Sequence, residues 1–261
     1  MMKEGRGHAV IPIGAYTLVG GRNVRFVLAA TVVLGLSACA PYGAPTGATL
    51  QGRQIFALWT VFFWSGVGVA AVVYALIFWS IIRYRKRSDR LPPQFTHNTL
   101  LEIVYTTIPV LIVAGLFVLT VRTETYLDRV PPASDPAVTL HVSAFQWSWR
   151  FDYEGTGVSI IGTPDHPPEV VVPTGQTVRI ILTSPDVAHA FWVPGFLFKR
   201  DAIPGITNRF DVDVQAAGTY VGECAEFCGL DHARMQFTVK AVPPDEFRRW
   251  LERAGAGRPS S

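Results

Sequence analysis

The sequence predicts a membrane-anchored α+β protein: a two-helix transmembrane hairpin, then a β-barrel or β-sandwich domain, then a short C-terminal helix. Three observations carry this. Two apolar runs, 55–82 and 100–121, are each long enough to cross a bilayer, and a basic cluster separates them. After Pro136 the pattern changes to short alternating segments divided by Gly, Pro and Asp. The composition agrees: of 261 residues 49% are hydrophobic and only 16% charged, which puts a membrane class first.

The N-terminal segment reads as an export signal. Arg22 and Arg25 precede an apolar run, 26–36, that is too short to span as a mature helix. Leu36, Ser37, Ala38 and Cys39 follow. This predicts a signal peptide over 1–38, of the lipoprotein type, with Cys39 acylated. The alternatives are an uncleaved apolar segment or a plain signal with a chance cysteine. Residues 39–53 read as a linker, rich in Gly, Pro and Thr.

Each apolar run exceeds the ~20 residues that cover a ~30 Å hydrocarbon core at ~1.5 Å rise. The predicted spans are 54–83 and 99–122. Between them, loop 84–98 carries Arg85, Lys86, Arg87 and Arg90, with Arg83 at its edge. Such clusters stay on the cytoplasmic side, so both outer ends face the periplasm. Glu102 sits just inside the second run. An ionisable group at that depth is costly and is often functional, although it could also snorkel or pair with the basic loop.

Residues 123–242 form the predicted outer domain. Val138, Leu140 and Val142 alternate with polar residues. Segments 169–173, 177–182, 209–214 and 235–239 read as further strands, with turn residues between them. The amphipathic stretch 244–253 reads as a terminal helix within the tail 243–261. From 137 to 241 there are eleven acidic and seven basic residues, a net charge of −4 with neutral His. A nucleic-acid binder would concentrate basic charge on its globular domain, so the charge pattern speaks against that class.

The sharpest signal lies late in the chain. Cys224, Cys228, His232 and Met235 follow a C-x3-C-x3-H-x2-M spacing on a loop between two predicted strands. Two thiolates, an imidazole and a thioether make a soft donor set suited to copper in electron transfer; zinc has little use for a thioether. With one cysteine the loop would suit a mononuclear blue-copper site. A second cysteine allows two bridging thiolates and two coppers, with His189 as an upstream imidazole. A Cys224–Cys228 disulfide, or zinc held with two histidines, are the competing readings.

These residues resemble cytochrome c oxidase subunit II. The resemblance covers 54–242. It rests on the cysteine loop, on 186–189, on the aromatic segment 145–149 and on 199–205. It implies a cupredoxin-like domain bearing the binuclear CuA centre, with His189, Cys224, Cys228, His232 and Met235 as side-chain ligands. It also implies that Glu226 binds copper through its carbonyl and a Mg or Mn ion, shared with subunit I, through its carboxylate. Trp147 matches the residue where the electron from cytochrome c enters, though packing alone would also explain a tryptophan there. Asp186 matches an acidic docking residue. Glu102 matches the glutamate at the mouth of a proton path into subunit I; Tyr105 stands where that motif usually has Trp.

The implied partners are subunit I, with its haems and CuB, subunit III, cytochrome c and the bacterial cytoplasmic membrane. Oxygen reduction coupled to proton translocation would occur in subunit I, so this chain alone should show no turnover. Acylated cysteines are better known in the quinol-oxidising branch of the family, but that branch has lost the copper ligands and this chain carries all of them. Two rivals remain: a CuA subunit of a related haem–copper reductase acting on nitric oxide, and a membrane-tethered copper carrier. Glu102 and the 201–205 segment favour the oxygen reductase.

Overall fold

The computed structural model describes residues 46–86, 94, 96–129 and 136–256. The signal segment, Cys39, Arg87 and Arg90 lie outside the described residues. Two long helices come first. Helix α1 spans Leu50–Arg83 and α2 spans Thr99–Leu127. At ~1.5 Å per residue α1 is about 51 Å long, well beyond the ~30 Å hydrocarbon core. Both are apolar all round and expose their large side chains, including Phe78, Trp79, Leu111 and Phe117. A helix with no polar face that is not buried in its own protein belongs in lipid or against other helices. The two helices anchor the chain in a membrane.

Each helix runs past its apolar stretch. α1 starts at Leu50 because the Thr49 hydroxyl accepts from the Gly52 N–H at 2.8 Å. α2 continues to Leu127, through the polar residues Arg122 to Thr125. Its start is capped reciprocally: the Asn98 side chain accepts from the Leu101 N–H at 3.1 Å, and Glu102 accepts from the Asn98 N–H at 3.3 Å.

Ten strands then build a two-sheet sandwich. They are β1 (Val138–Phe145), β2 (Ser148–Tyr153), β3 (Ser159–Ile161), β4 (Glu169–Pro173), β5 (Thr177–Thr183), β6 (His189–Val193), β7 (Phe198–Ala202), β8 (Asn208–Asp213), β9 (Gly218–Cys224) and β10 (Gln236–Val242). One sheet has the order β3-β2-β1-β5-β8 and the other β4-β10-β9-β6-β7. The pairs β1/β5 and β4/β10 are parallel and the rest antiparallel. Helix α3, Pro244–Ala256, closes one end through Phe247, Trp250 and Leu251.

The core follows from strand alternation. Leu140, Val142, Val178, Ile180 and Leu182 point inward from one sheet; Phe191, Val193, Phe237 and Val239 point inward from the other. An aromatic cluster lies between them. Phe237 stacks on Phe191 at 4.8 Å between ring centroids and meets Trp149 edge-on at 5.0 Å. Each such buried ring contributes about 1.5–3 kcal/mol relative to exposure. The cluster sits directly beneath the end of the sandwich that carries the cysteines, and ties β2, β6 and β10 together there.

Candidate metal centre

Three segments supply the site. β6 opens with His189 and β9 ends at Cys224. The chain then loops through Cys228 and a 3-10 turn, His232–Arg234, to Met235, which immediately precedes β10. His189, Cys224 and Met235 thereby sit at or beside strand ends, while the loop between β9 and β10 brings in Cys228 and His232.

The donors converge. The Cys224 and Cys228 sulfurs lie 3.9 Å apart and both cysteines are free. A disulfide would need about 2.05 Å. His189 Nδ1 is 3.8 Å from Cys224 Sγ, His232 Nδ1 is 3.6 Å from Cys228 Sγ, and Met235 Sδ is 3.7 Å from Cys228 Sγ. The Cys224 thiol donates to the Glu226 carbonyl at 3.2 Å. His189 and Met235 are fully buried, and both cysteines nearly so. His232 lies at the half-exposed edge, its ring beside Phe227. Every predicted donor is within one small volume, and His189, Cys224 and Cys228 alone fit a metal site. Two thiols, two imidazoles, a thioether and a carbonyl exceed what one tetrahedral zinc takes up. They match a soft metal with bridging thiolates.

Electrostatics set the two thiols apart. Burial works against a Cys224 thiolate, but His189 and the N–H of Ala190 favour it and bring the thiol down to about 7. Burial, then repulsion from Cys224, pushes Cys228 up to about 12. His189 is raised: burial opposes its charged form, but Cys224 and Asp186 outweigh burial.

Asp186 stands behind the site. Its Oδ1 is 2.9 Å from His189 Nε2, which fixes the ring with Nδ1 towards the sulfurs. Asp186 also accepts from the N–H groups of Gln146 at 2.7 Å and Val187 at 2.6 Å. Burial would raise its pKa, yet these donors and His189 hold it below the usual carboxylate value.

Trp147 and Trp149 take different positions. Trp149 is fully buried in the aromatic core and donates to the Met235 carbonyl at 3.3 Å. Trp147 is half-exposed and donates to the Cys228 carbonyl at 3.1 Å. Gln146 donates to the same carbonyl at 2.7 Å. Gly229 makes this approach possible: its φ of +119° is rarely open to other residues, and a Cβ there would lie 3.2 Å from Trp147 Nε1.

Gln146 is a site residue that sequence reasoning did not single out. Its signal was positional: it shares the two-residue turn between β1 and β2 with Trp147. The Glu226 carboxylate is exposed and faces Lys199 at 3.9 Å. Glu102 caps α2 and is not part of this cluster.

Comparison with known proteins follows the same lines. The family profile described as cytochrome C oxidase subunit II, periplasmic domain, matches residues 159–242, and the one described as its transmembrane domain matches 42–121. "Probable cytochrome c oxidase subunit 2" of Streptomyces avermitilis is 36% identical over 80% of this chain and 78% of its own length. Cytochrome c oxidase subunit 2 of Mycobacterium bovis is 30% identical over 83% and 76%. Among solved structures, the periplasmic domain of subunit II of cytochrome oxidase of Bradyrhizobium japonicum is 32% identical, covers 47% of this chain and 96% of that chain, and superposes with a TM-score of 0.43. The two profiles match the membrane helices and most of the sandwich, and named relatives are 30% or more identical over most of their own length and of this chain; the chain belongs to the cytochrome c oxidase subunit II family.

Proposed function

We propose that this chain is the electron-accepting subunit of an oxygen-reducing haem–copper oxidase, taking electrons from cytochrome c and delivering them to haem in subunit I, with subunit III as a further partner. The observation that carries the reading is the convergence of both cysteine sulfurs with two imidazoles, a thioether and the Glu226 carbonyl in one buried cluster. A binuclear copper centre held there by His189, Cys224, Glu226, Cys228, His232 and Met235 would supply a one-electron carrier with little reorganisation.

The chain's own residues do the rest. Asp186 keeps His189 oriented. Trp147, half-exposed and bonded to the Cys228 carbonyl, offers an aromatic contact between the surface and the cluster. The net negative outer domain suits a basic cytochrome c, steered by charge, with Asp186 close to that surface. The exposed Glu226 carboxylate, beside Lys199, would share a Mg or Mn ion with subunit I. Glu102, at the other end of α2, would stand at the mouth of a proton path into subunit I.

The two helices set the topology. Arg83 ends α1 and Arg85 and Lys86 follow it, remote from the sandwich; by the positive-inside rule these charges support a cytoplasmic place for that end and a periplasmic one for the sandwich, in a bacterial cytoplasmic membrane. An N-terminal lipoprotein-type signal ending before Cys39 agrees with that direction.

Rapid mixing of the oxidase complex with reduced cytochrome c tests the reading. Trp147→Phe should slow electron uptake by orders of magnitude while leaving the copper spectrum intact. Uptake equal to that of the parent would refute the assignment of Trp147 and weaken the whole reading.

A further inference from the structure

The segment that leads into α1 is built into the sandwich. Ala48 donates its N–H to the Gly195 carbonyl at 2.8 Å, and its carbonyl accepts from the Gln215 N–H at 2.8 Å. Thr49, fully buried, forms an antiparallel bridge with Val214. Gln51 closes a reciprocal pair with Asp213: its Nε2 donates to Asp213 Oδ2 at 2.7 Å, and its Oε1 accepts from the Asp213 N–H at 3.1 Å. The other carboxylate oxygen of Asp213 accepts from the Thr177 hydroxyl at 2.7 Å. Gly52 lies so close to the Phe196 carbonyl that a Cβ would come within 2.3 Å of it.

The contacted turn, Pro194–Phe196, continues directly from β6, whose first residue is His189. Five residues of extended strand therefore connect a donor of the metal centre to the clamped end of a membrane helix. β6 is also held by β7 and β9, so movement at the turn is passed along a paired strand rather than absorbed by a loop. The helix start is thus bonded to both sheets, to the turn after β6 through the Ala48 N–H and to the end of β8 through the Gln51–Asp213 pair, and such satisfied polar groups are costly to separate where they are buried.

We propose that Gln51 and Asp213 are positioning residues: by tying the start of α1 to the end of β8 they hold Ala48, Thr49 and Gly52 against the turn that follows β6, and so fix how the metal centre stands relative to the membrane and its electron acceptor. The second half of this proposal rests on the electron-transfer reading above; the clamp itself does not.

The test uses the assembled oxidase with Gln51→Ala, and Asp213→Asn as the conservative control that keeps an oxygen for Gln51. Amide exchange, the copper EPR spectrum and the rate of electron transfer from the copper centre to haem are followed together. In Gln51→Ala, exchange at the Ala48 and Gln215 amides should rise at least several-fold, the EPR spectrum should stay that of the parent, and transfer to haem should slow several-fold. Asp213→Asn should stay near the parent in all three. Unchanged exchange in Gln51→Ala would overturn the clamp. Faster exchange with unchanged transfer would overturn its role in positioning. A parent complex with no copper signal would refute the electron-transfer reading, and the positioning role with it, while the exchange result would still decide the clamp.

Discussion

His189 holds Asp186 at 2.9 Å through Nε2 and faces the Cys224 sulfur at 3.8 Å through Nδ1. The imidazole is thus a bridge between a carboxylate held by backbone N–H groups and the thiol pair. One ring nitrogen sets the tautomer and direction of the other.

Asp186→Ala removes this orienting partner. Copper affinity should fall about 10–100-fold, the range seen when such outer partners of metal-bound histidines are lost. Asp186→Asn, which still offers an oxygen, should lose less. Competition titration with a copper chelator measures both; equal affinity in parent and Asp186→Ala would refute the role.

Copper binding to the metal-free chain should strengthen as pH rises from 6 to 8. Cys224 loses its proton through about 7, so its thiolate becomes available across that window. His189, raised above its ordinary value, also gives up its proton on the way up, in the same direction. Cys228, at about 12, stays protonated across the window until the metal displaces its proton, so this one released proton alone makes affinity rise by about tenfold per pH unit, in the same direction. A pH-independent affinity between 6 and 8 would contradict this.

Much of the architecture was legible before any coordinates. The helices were plain because runs of more than 20 mostly apolar residues have few alternatives. The ligand loop was plain because soft donors are rare and their spacing was tight. Strands β6 and β7 were not. His189 to Val193 is apolar or buried throughout, so it has no alternation to read, and β7 carries Lys199, Arg200 and Asp201 on an edge. Strand β2 was disguised by aromatics serving both the core and the site. The clamp was invisible because Gln51 and Asp213 are 162 residues apart and each is an ordinary polar residue locally.

Glu226→Ala should leave the copper spectrum intact, because Glu226 approaches the Cys224 sulfur through its backbone carbonyl. The same variant should lose manganese EPR intensity from the assembled complex grown with Mn. Retained manganese would remove the carboxylate from that role.

Glu102 both caps α2 and lies in the proposed proton path, and two substitutions separate the roles. Glu102→Gln keeps an acceptor for the Asn98 N–H but has no titratable proton; Glu102→Ala loses both. Turnover of the complex should fall in both variants. Parent turnover in Glu102→Gln, with loss only in Glu102→Ala, would reduce Glu102 to a capping residue.

Phe237→Ala would open a cavity under β6 and β9, the two strands that present His189 and Cys224. The expected loss is about 3–5 kcal/mol, read by chemical denaturation of the outer domain's tryptophan signal. A loss below about 1 kcal/mol would mean the aromatic cluster relaxes to fill the space.

The most direct test of the central claim is the EPR spectrum of the copper-loaded, detergent-solubilised chain. The account predicts a purple mixed-valence species with a seven-line hyperfine pattern, one electron shared over two equivalent copper nuclei. A four-line pattern would mean a single copper and break the bridging role of both cysteines, and absence of copper with Cys224 and Cys228 oxidised to each other would contradict electron transfer altogether.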